Sequence, residues 1–515
     1  MRNPEYKRIS HGIIPTLERL RPVTEKVDEV NSQTELPFPF AVAGDTSRFG
    51  FLFPQLQRSD ALLPESPETR TALIALGMSM REPTNALADS LIPSAYTYFG
   101  QFVDHDVTLE AKSDSVMMLS DPNLRPLTPY EIQNQLINGR KPGLDLDNVY
   151  YKPAPRSQAS LVLGHVTRIS QGRRAQRTMP VPGKDSENDL PRKPPSPDPK
   201  DDRAALIGDA RDDENLIVAQ LHVAFLRAHN AIAARGHTFD EARKILRRHY
   251  QWIILYDFLP RICDPWILNS ILSSGNRWFC PGADELFMPL EFSVAAYRYG
   301  HSMVRARYDV NLNFQGGSAA TLTDLFELTA LSGTLRGNNT LPENWIVEWE
   351  NFVKGGSNRA RPIDTCLTQD LFDLRAFGKP MPPEARLPVR NLLRGYMLRL
   401  PTGQAVAARL NLPAMSANEI QHVARGVSDD QFQAICAHQF SERTPLWYYI
   451  LAEAAAGGSG RLGPVGSTLV AEVLVGLVRG SKDSILRKKN WQPWLGATAG
   501  IFELRDLLKL ARVLN

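Results

Sequence analysis

Cysteine is scarce in this chain. Four residues in 515, Cys263, Cys280, Cys366 and Cys436, stand far apart with no C-x-x-C pair and no metal-ligand spacing. That argues against a disulfide framework and against a cysteine-based zinc site, and the four read as buried thiols. A long apolar run is also missing. The most apolar late stretch, Thr468 to Val478, is short and carries Glu472, well under the roughly 20 apolar residues a membrane span needs. The first residues, MRNPEYKRISHGIIPTLERLRP, have charges throughout and lack the continuous apolar core of a secretory signal. A cytoplasmic location is the default expectation, with export by another route left open. Nor is there an excess of one charge. Against 56 acidic residues stand 59 Lys and Arg, a formal net charge of +3, too mild to imply a nucleic-acid partner. Strand-like alternation is rare, and no internal repeat is found.

What is present points to a large helical body. Hydrophobic residues make up 43% of the chain, ample for a buried core. Apolar residues recur at helical spacing over 71–110, where Pro83 and Pro93 punctuate the pattern, and over 214–236 and 240–263. The same spacing recurs over 289–305, 387–411, 416–425, 428–438, 445–456 and 466–479. The fold class expected is mainly α, with little β structure. Residues 1–45 read as an N-terminal arm and 46–515 as one domain. Within it, 173–203 is dense in proline and charge and is expected to be an exposed insertion.

Four segments contain the residues suited to chemistry. In YFGQFVDHDVTLE, the polar run Asp104, His105, Asp106 sits inside an apolar and aromatic stretch. On a helix these three point about 100° apart, so a buried helix must supply three separate partners. Gln101 precedes His105 by four residues and shares its face. In IGDARDDENLIVAQLHVAFLRAHN, Arg211 and Glu214 are three apart at a helix entry, while Asp212 and Asp213 read as surface acids that suit the positive end of that helix. His222 and His229 lie seven apart without a zinc pattern and read as structural. In LEFSVAAYRYGHSMVRARYDV, Arg298 and His301 are three apart, bracketed by Tyr297 and Tyr299. That pair suits a metal ligand beside an anionic cofactor group or a salt-bridged core network, and spacing does not choose between them. PVRNLLRGYML offers Asn391 and Arg394, again three apart. The Gly-rich GGSGRLGPVGS lacks the Lys-Ser/Thr of a phosphate loop and reads as a helix connection.

In this order the four segments resemble the animal-type haem peroxidases of the peroxidase–cyclooxygenase superfamily, and among them the bacterial members. The similarity runs from about Gly44 to the C-terminus and includes TPLWYYILAEA and RLGPVGSTLVAEVLVGL. It implies a single helical haem-peroxidase domain carrying haem b. The activity implied is oxidation of small donors by hydrogen peroxide through a ferryl compound I, with a part in the response to oxidative stress. His105 becomes the distal acid–base residue, with Arg211 and Gln101 beside it. His301 becomes the proximal iron ligand, its outer ring nitrogen held by the carbonyl of Asn391. Arg298 and Arg394 face the propionates, and Asp104 and Glu214 occupy the positions that form ester links to haem methyls. Physical chemistry agrees with that cast. A His base suits the peroxide proton, a fixed cation suits the leaving oxygen, and an oriented imidazole suits iron. The resemblance also implies calcium, held by Asp106, Asp145 and Asp147 with the backbone carbonyls of Lys141 and Gly143. Asn215 stands where the myeloperoxidase type has a sulfonium-forming Met, so bromide, iodide, thiocyanate or phenols are expected as donors rather than chloride.

Two other readings share the scaffold. A fatty-acid dioxygenase or cyclooxygenase needs Tyr three residues before the proximal His, where this chain has Arg298. Tyr297 is one residue off and is expected to point elsewhere on the helix. A haem-retaining binding or adhesion protein without turnover would not need the intact set of His105, Arg211 and His301.

Overall fold

The structure, a computed structural model, describes residues 47–515 apart from 84–87, 111–118, 152–154, 170–185, 283–285 and 373–381. Helix α1 (Pro67–Ser79) begins where Ser66 accepts the Thr69 N–H and Pro67 takes the first position. Helix α2 (Ala95–Val107) follows Pro93 and is buried along most of its length. Asn215 caps α3 (Leu216–Ala233) through the Ile217 N–H. By length and composition α3 is apolar enough to cross a membrane, but 89% of it is buried inside the molecule. It is a core helix, and α2 packs against it. A reciprocal Thr238–Glu241 cap starts α4 (Phe239–Ile253), which runs on into one π-turn, Ile254–Phe258. Later come α5 (Leu387–Met397), α6 (Leu446–Gly457) and α7 (Pro464–Gly480). All three pack on the segment that carries His301.

That segment departs from the uninterrupted helix expected over 289–305. It is a π-turn, Glu291–Ala295, followed by a 3-10 turn, Ala296–His301, with Ala295 broken out to φ −126°, ψ −69°. A distant contact ties the start of this segment down. The buried Glu291 carboxylate accepts the backbone N–H groups of Leu52 (2.8 Å) and Phe53 (3.0 Å). A 3-10 turn has three residues per turn, which stacks Arg298 directly over His301. The expected helix over 387–411 is likewise split. Arg399 takes φ 55° and Pro401 cannot continue the ladder, so a new helix starts at Gly403. Glu472, the charge inside the apolar run, is 2% exposed on α7. Its carboxylate accepts the N–H groups of Arg277 (2.9 Å), Trp278 (3.0 Å) and Phe279 (3.1 Å) and the Asn276 amide (3.2 Å).

Strands are few and short. β1 (Ser47–Gly50) pairs antiparallel with β2 (Ile137–Asn138) and parallel with β3 (Met288–Pro289). The expected arm, 1–45, and residues 173–185 of the expected insertion lie outside the described residues. The rest of that insertion does not stand free. Asn188, Asp189, Leu190 and Arg203 are buried, and Arg192 ties the segment down through ion pairs to Asp189 (2.8 Å) and Asp213 (2.6 Å). Lys193 to Asp201 is mostly exposed. The cysteine expectation needs a similar correction. All four are free, Cys263 and Cys366 buried but Cys280 and Cys436 exposed.

Candidate active site

Thr97, Gly100, Gln101 and Asp104 lie on one face of α2 and form a wall of a cavity. Opposite chain segments complete it: Glu214 and Asn215 at the start of α3, and Tyr297 to His301 from the 3-10 turn. Tyr96, Tyr98 and Phe326 add aromatic surface. Gln101, Asp104, Glu214, Arg298 and His301 thus converge on one space. Tyr297 also faces it, stacked on Phe292 at 4.7 Å. The expectation that it points elsewhere is therefore not met.

His105 does not line this cavity, although it follows Gln101 by one α-helical turn. It is fully buried, and its Nδ1 lies 2.7 Å from Asp212 Oδ1. The other Asp212 oxygen meets His222 Nδ1 at 2.7 Å. Burial opposes ionisation of Asp212, but its hydrogen bonds to the two histidines outweigh that and hold its pKa below the ordinary carboxylate value. The expected place of Asp212, a solvated helix start, is therefore wrong. His222 and His229 are both buried and bonded. The Nε2–H of His229 donates to Ala159 O (2.9 Å) while its Nδ1 accepts from Tyr150 (2.9 Å).

Arg211 also departs from its expected place beside a peroxide. Its guanidinium is spent on Asp209 (Nη2–Oδ2 2.7 Å) and on the carbonyls of His105 (3.2 Å) and Thr108. It braces the carbonyl end of α2, as does Arg140, which donates to His105 O (3.3 Å) and Asp209 (2.5 Å). The two cations outweigh burial and lower the Asp209 pKa far below its usual range.

On the other side, His301 is 8% exposed and Asn391 Nδ2 donates to its Nδ1 at 2.9 Å. The contact is the expected one but the amide is reversed, with nitrogen rather than carbonyl facing the ring. The two amide ends have nearly the same shape, so the proton on the ring decides which faces it. Burial, with Arg298 and Arg390 adding repulsion, pushes the His301 pKa well below its ordinary value and keeps the ring neutral. Arg298 and Arg390 are themselves lowered to about 10, mainly by burial, with Asp104 opposing the shift at Arg298 and the Arg298 charge adding to it at Arg390. Arg394 does not line the cavity and pairs with Glu110.

The expected calcium set is brought only partly together. Asp106 Oδ1 accepts the Asp147 N–H at 2.5 Å, and its buried Oδ2 has no partner. Burial raises the Asp106 pKa, with the Asp147 charge adding to it. Asp145 instead bonds Ser481 (3.3 Å), and a side chain at Gly143 would strike its carboxylate. Among the described residues no three His, Cys, Asp or Glu side chains converge as a metal cage.

Sequence reasoning missed Asp212 and Arg390. Arg390 sits one turn before Arg394 and next to Asn391, so its place in the segment was visible but its burial was not. Asp212 carried no local signal at all. Its partner His105 is 107 positions away.

A family described as animal haem peroxidase matches residues 131–481, more than half of the chain. A peroxidase-like protein from Margaritifera margaritifera is 30% identical over 257 residues, covering 41% of this chain and 32% of that protein. Human thyroid peroxidase is 32% identical over 112 residues, 19% of this chain and 12% of its own length. The chain thus spans about a third or less of these relatives. Among solved structures, peroxidase A from Dictyostelium discoideum aligns with TM-score 0.52 at 16% identity, over 86% of this chain and 89% of that one. A fatty acid alpha-dioxygenase from Oryza sativa aligns with TM-score 0.54 at 12% identity, over 85% and 76%. At such identity these two speak for the fold alone, while the family match carries the assignment: the chain belongs to the animal haem peroxidase family.

Proposed function

We propose that the chain is a haem-dependent peroxidase that uses hydrogen peroxide to oxidise small donors. The observation that carries this reading is the convergence of Gln101, Asp104, Glu214, Arg298 and His301 on one cavity from three distant parts of the sequence. The residues fit haem on two further counts. His105 Nε2 is buried without a partner, and Arg298 and Arg390 place two guanidinium charges in one another's field, a setting that suits a carboxylate-bearing group. His301 would hold the iron, with the Asn391 amide turned to accept its Nδ1–H. Arg298 and Arg390 would take the propionates, with Arg394 one turn further along α5. Asp104 and Glu214 present carboxylates to the cavity, where ester links would form.

When bound, haem supplies the iron at which the peroxide O–O bond is cleaved and the oxidising equivalents pass to the donor. His105 would take the peroxide proton at Nε2, because Nδ1 is already engaged by Asp212. Arg211 keeps the end of α2, and with it His105, in place. The aromatic wall of Tyr96, Tyr98, Tyr297 and Phe326 suits a phenolic donor.

The test is spectroscopic. Protein expressed with hemin should show a Soret band and oxidise a phenol only with peroxide, and His301→Ala should lose or shift the band. Absence of a Soret band after loading would refute the reading. A fatty-acid dioxygenase is a second reading, favoured by the position of Tyr297 in the cavity. Oxygen uptake with a polyunsaturated fatty acid and no peroxide would select it.

A further inference from the structure

Asp212 has an unusual place in this molecule. It is fully buried, and one oxygen meets His105 Nδ1 (2.7 Å) while the other meets His222 Nδ1 (2.7 Å). The second oxygen also accepts the Asn148 amide at 3.1 Å. An ionised carboxylate only accepts hydrogen bonds, so both rings must carry a proton at Nδ1. For two neutral rings the lone pairs then lie on Nε2. Both Nε2 atoms are buried and have no hydrogen-bond partner.

We propose that Asp212 is the positioning residue for His105, locking it and His222 as Nδ1–H tautomers so that His105 Nε2 stays a bare acceptor. The consequence for peroxide chemistry rests on the function proposed above, whereas the tautomer assignment does not. Two features make the lock stiff. Asp212 belongs to the 3-10 turn Ala210–Asp213, capped by Asp209. That same turn, through Arg211, and Asp209, through Arg140, hold the backbone carbonyl of His105 (3.2 and 3.3 Å). Ring and main chain of His105 are therefore tied to one short turn. On the far side, Asn148 also donates to Phe102 O at 3.3 Å, one turn before His105 on α2. His222 contributes by occupying the second oxygen.

The chain has ten histidines, few enough for selective 15N-histidine labelling, with His105→Gln and His222→Gln to assign the two signals. In wild-type protein, with or without haem, both rings should show a protonated Nδ1 and a lone pair at Nε2. Asp212→Asn has one oxygen left to accept and an amide that donates, so one of the two rings should switch to Nε2–H. In haem-loaded Asp212→Ala with an intact Soret band, cyanide binding should slow by roughly tenfold or more, because HCN must give up its proton to a nearby base. A His105 ring carrying Nε2–H in the wild type overturns the proposal even if every variant fails to fold. So does Asp212→Asn with both tautomers unchanged, or Asp212→Ala with the wild-type cyanide rate. A wild-type protein that shows the tautomers but takes up no haem would sink the peroxidase reading and leave this assignment standing.

Discussion

Glu453 tests how this fold treats a buried acid. It lies on α6 with 7% exposure, and its carboxylate accepts the N–H groups of Val465 (2.9 Å) and Gly466 (3.2 Å) in the first turn of α7. A helix start favours an anion, yet burial wins. The pKa is pushed from 4.5 up to about 7, with the two backbone hydrogen bonds pulling the other way. Between those two values the folded chain keeps a proton that the unfolded chain has released. Stability therefore falls as pH rises through that window, and below it the group contributes no difference. A displacement of this size costs about 3 kcal/mol above pH 7, of which roughly 1 kcal/mol is already present at pH 5. Glutamine keeps the shape and one acceptor but never ionises. Glu453→Gln should therefore gain about 2 kcal/mol on the wild type between pH 5 and pH 8, on top of a constant offset. Denaturant unfolding of both proteins across that range measures the gap. Two stability curves that stay parallel would refute the reasoning, as would a gap that narrows with rising pH.

Three further outcomes can be checked with simple variants. Glu472→Ala strands the backbone N–H groups of Arg277, Trp278 and Phe279, and should destabilise by about 3 kcal/mol or more, with Glu472→Gln recovering part of it. A loss under about 1 kcal/mol in denaturant unfolding would contradict the hydrogen-bond assignment. Arg390→Met removes a desolvated cation whose pKa is lowered to about 10 beside Arg298 and Arg394. In the haem-free protein it should stabilise by up to about 3 kcal/mol, while the haem-loaded variant should release its cofactor faster to an acceptor such as apomyoglobin. An apo-protein made less stable by this change would show that the arginine cluster is not under strain from like charges. Loading His301→Gly with imidazole should restore a Soret band that the variant alone lacks, and a band unaffected by either step would move the iron ligand elsewhere.

Much of the helical scaffold was legible because apolar periodicity is a local property. The cores of α3, α6 and α7 fall inside the stretches read from spacing. The irregular segment that carries His301 was not legible from spacing. Glu291 is held by Phe53, 238 positions away, and the segment it starts is a π-turn and a 3-10 turn in place of the expected α-helix. Tyr297, in that segment, lines the cavity against the expectation from spacing.

By itself, then, the sequence determined which residue types are available for chemistry, the helices that carry most of them, and the resemblance that the family match bears out. Those are properties of short stretches, where spacing and side-chain type suffice. The tertiary structure alone decided the use of each charge. Arg211, expected to face a substrate, is drawn to Asp209 and to two carbonyls at the end of α2. Asp212, expected in solvent, is buried between two histidines. The reason is electrostatic: a charge removed from water must find its partner in space, and neighbours in space are not neighbours in sequence.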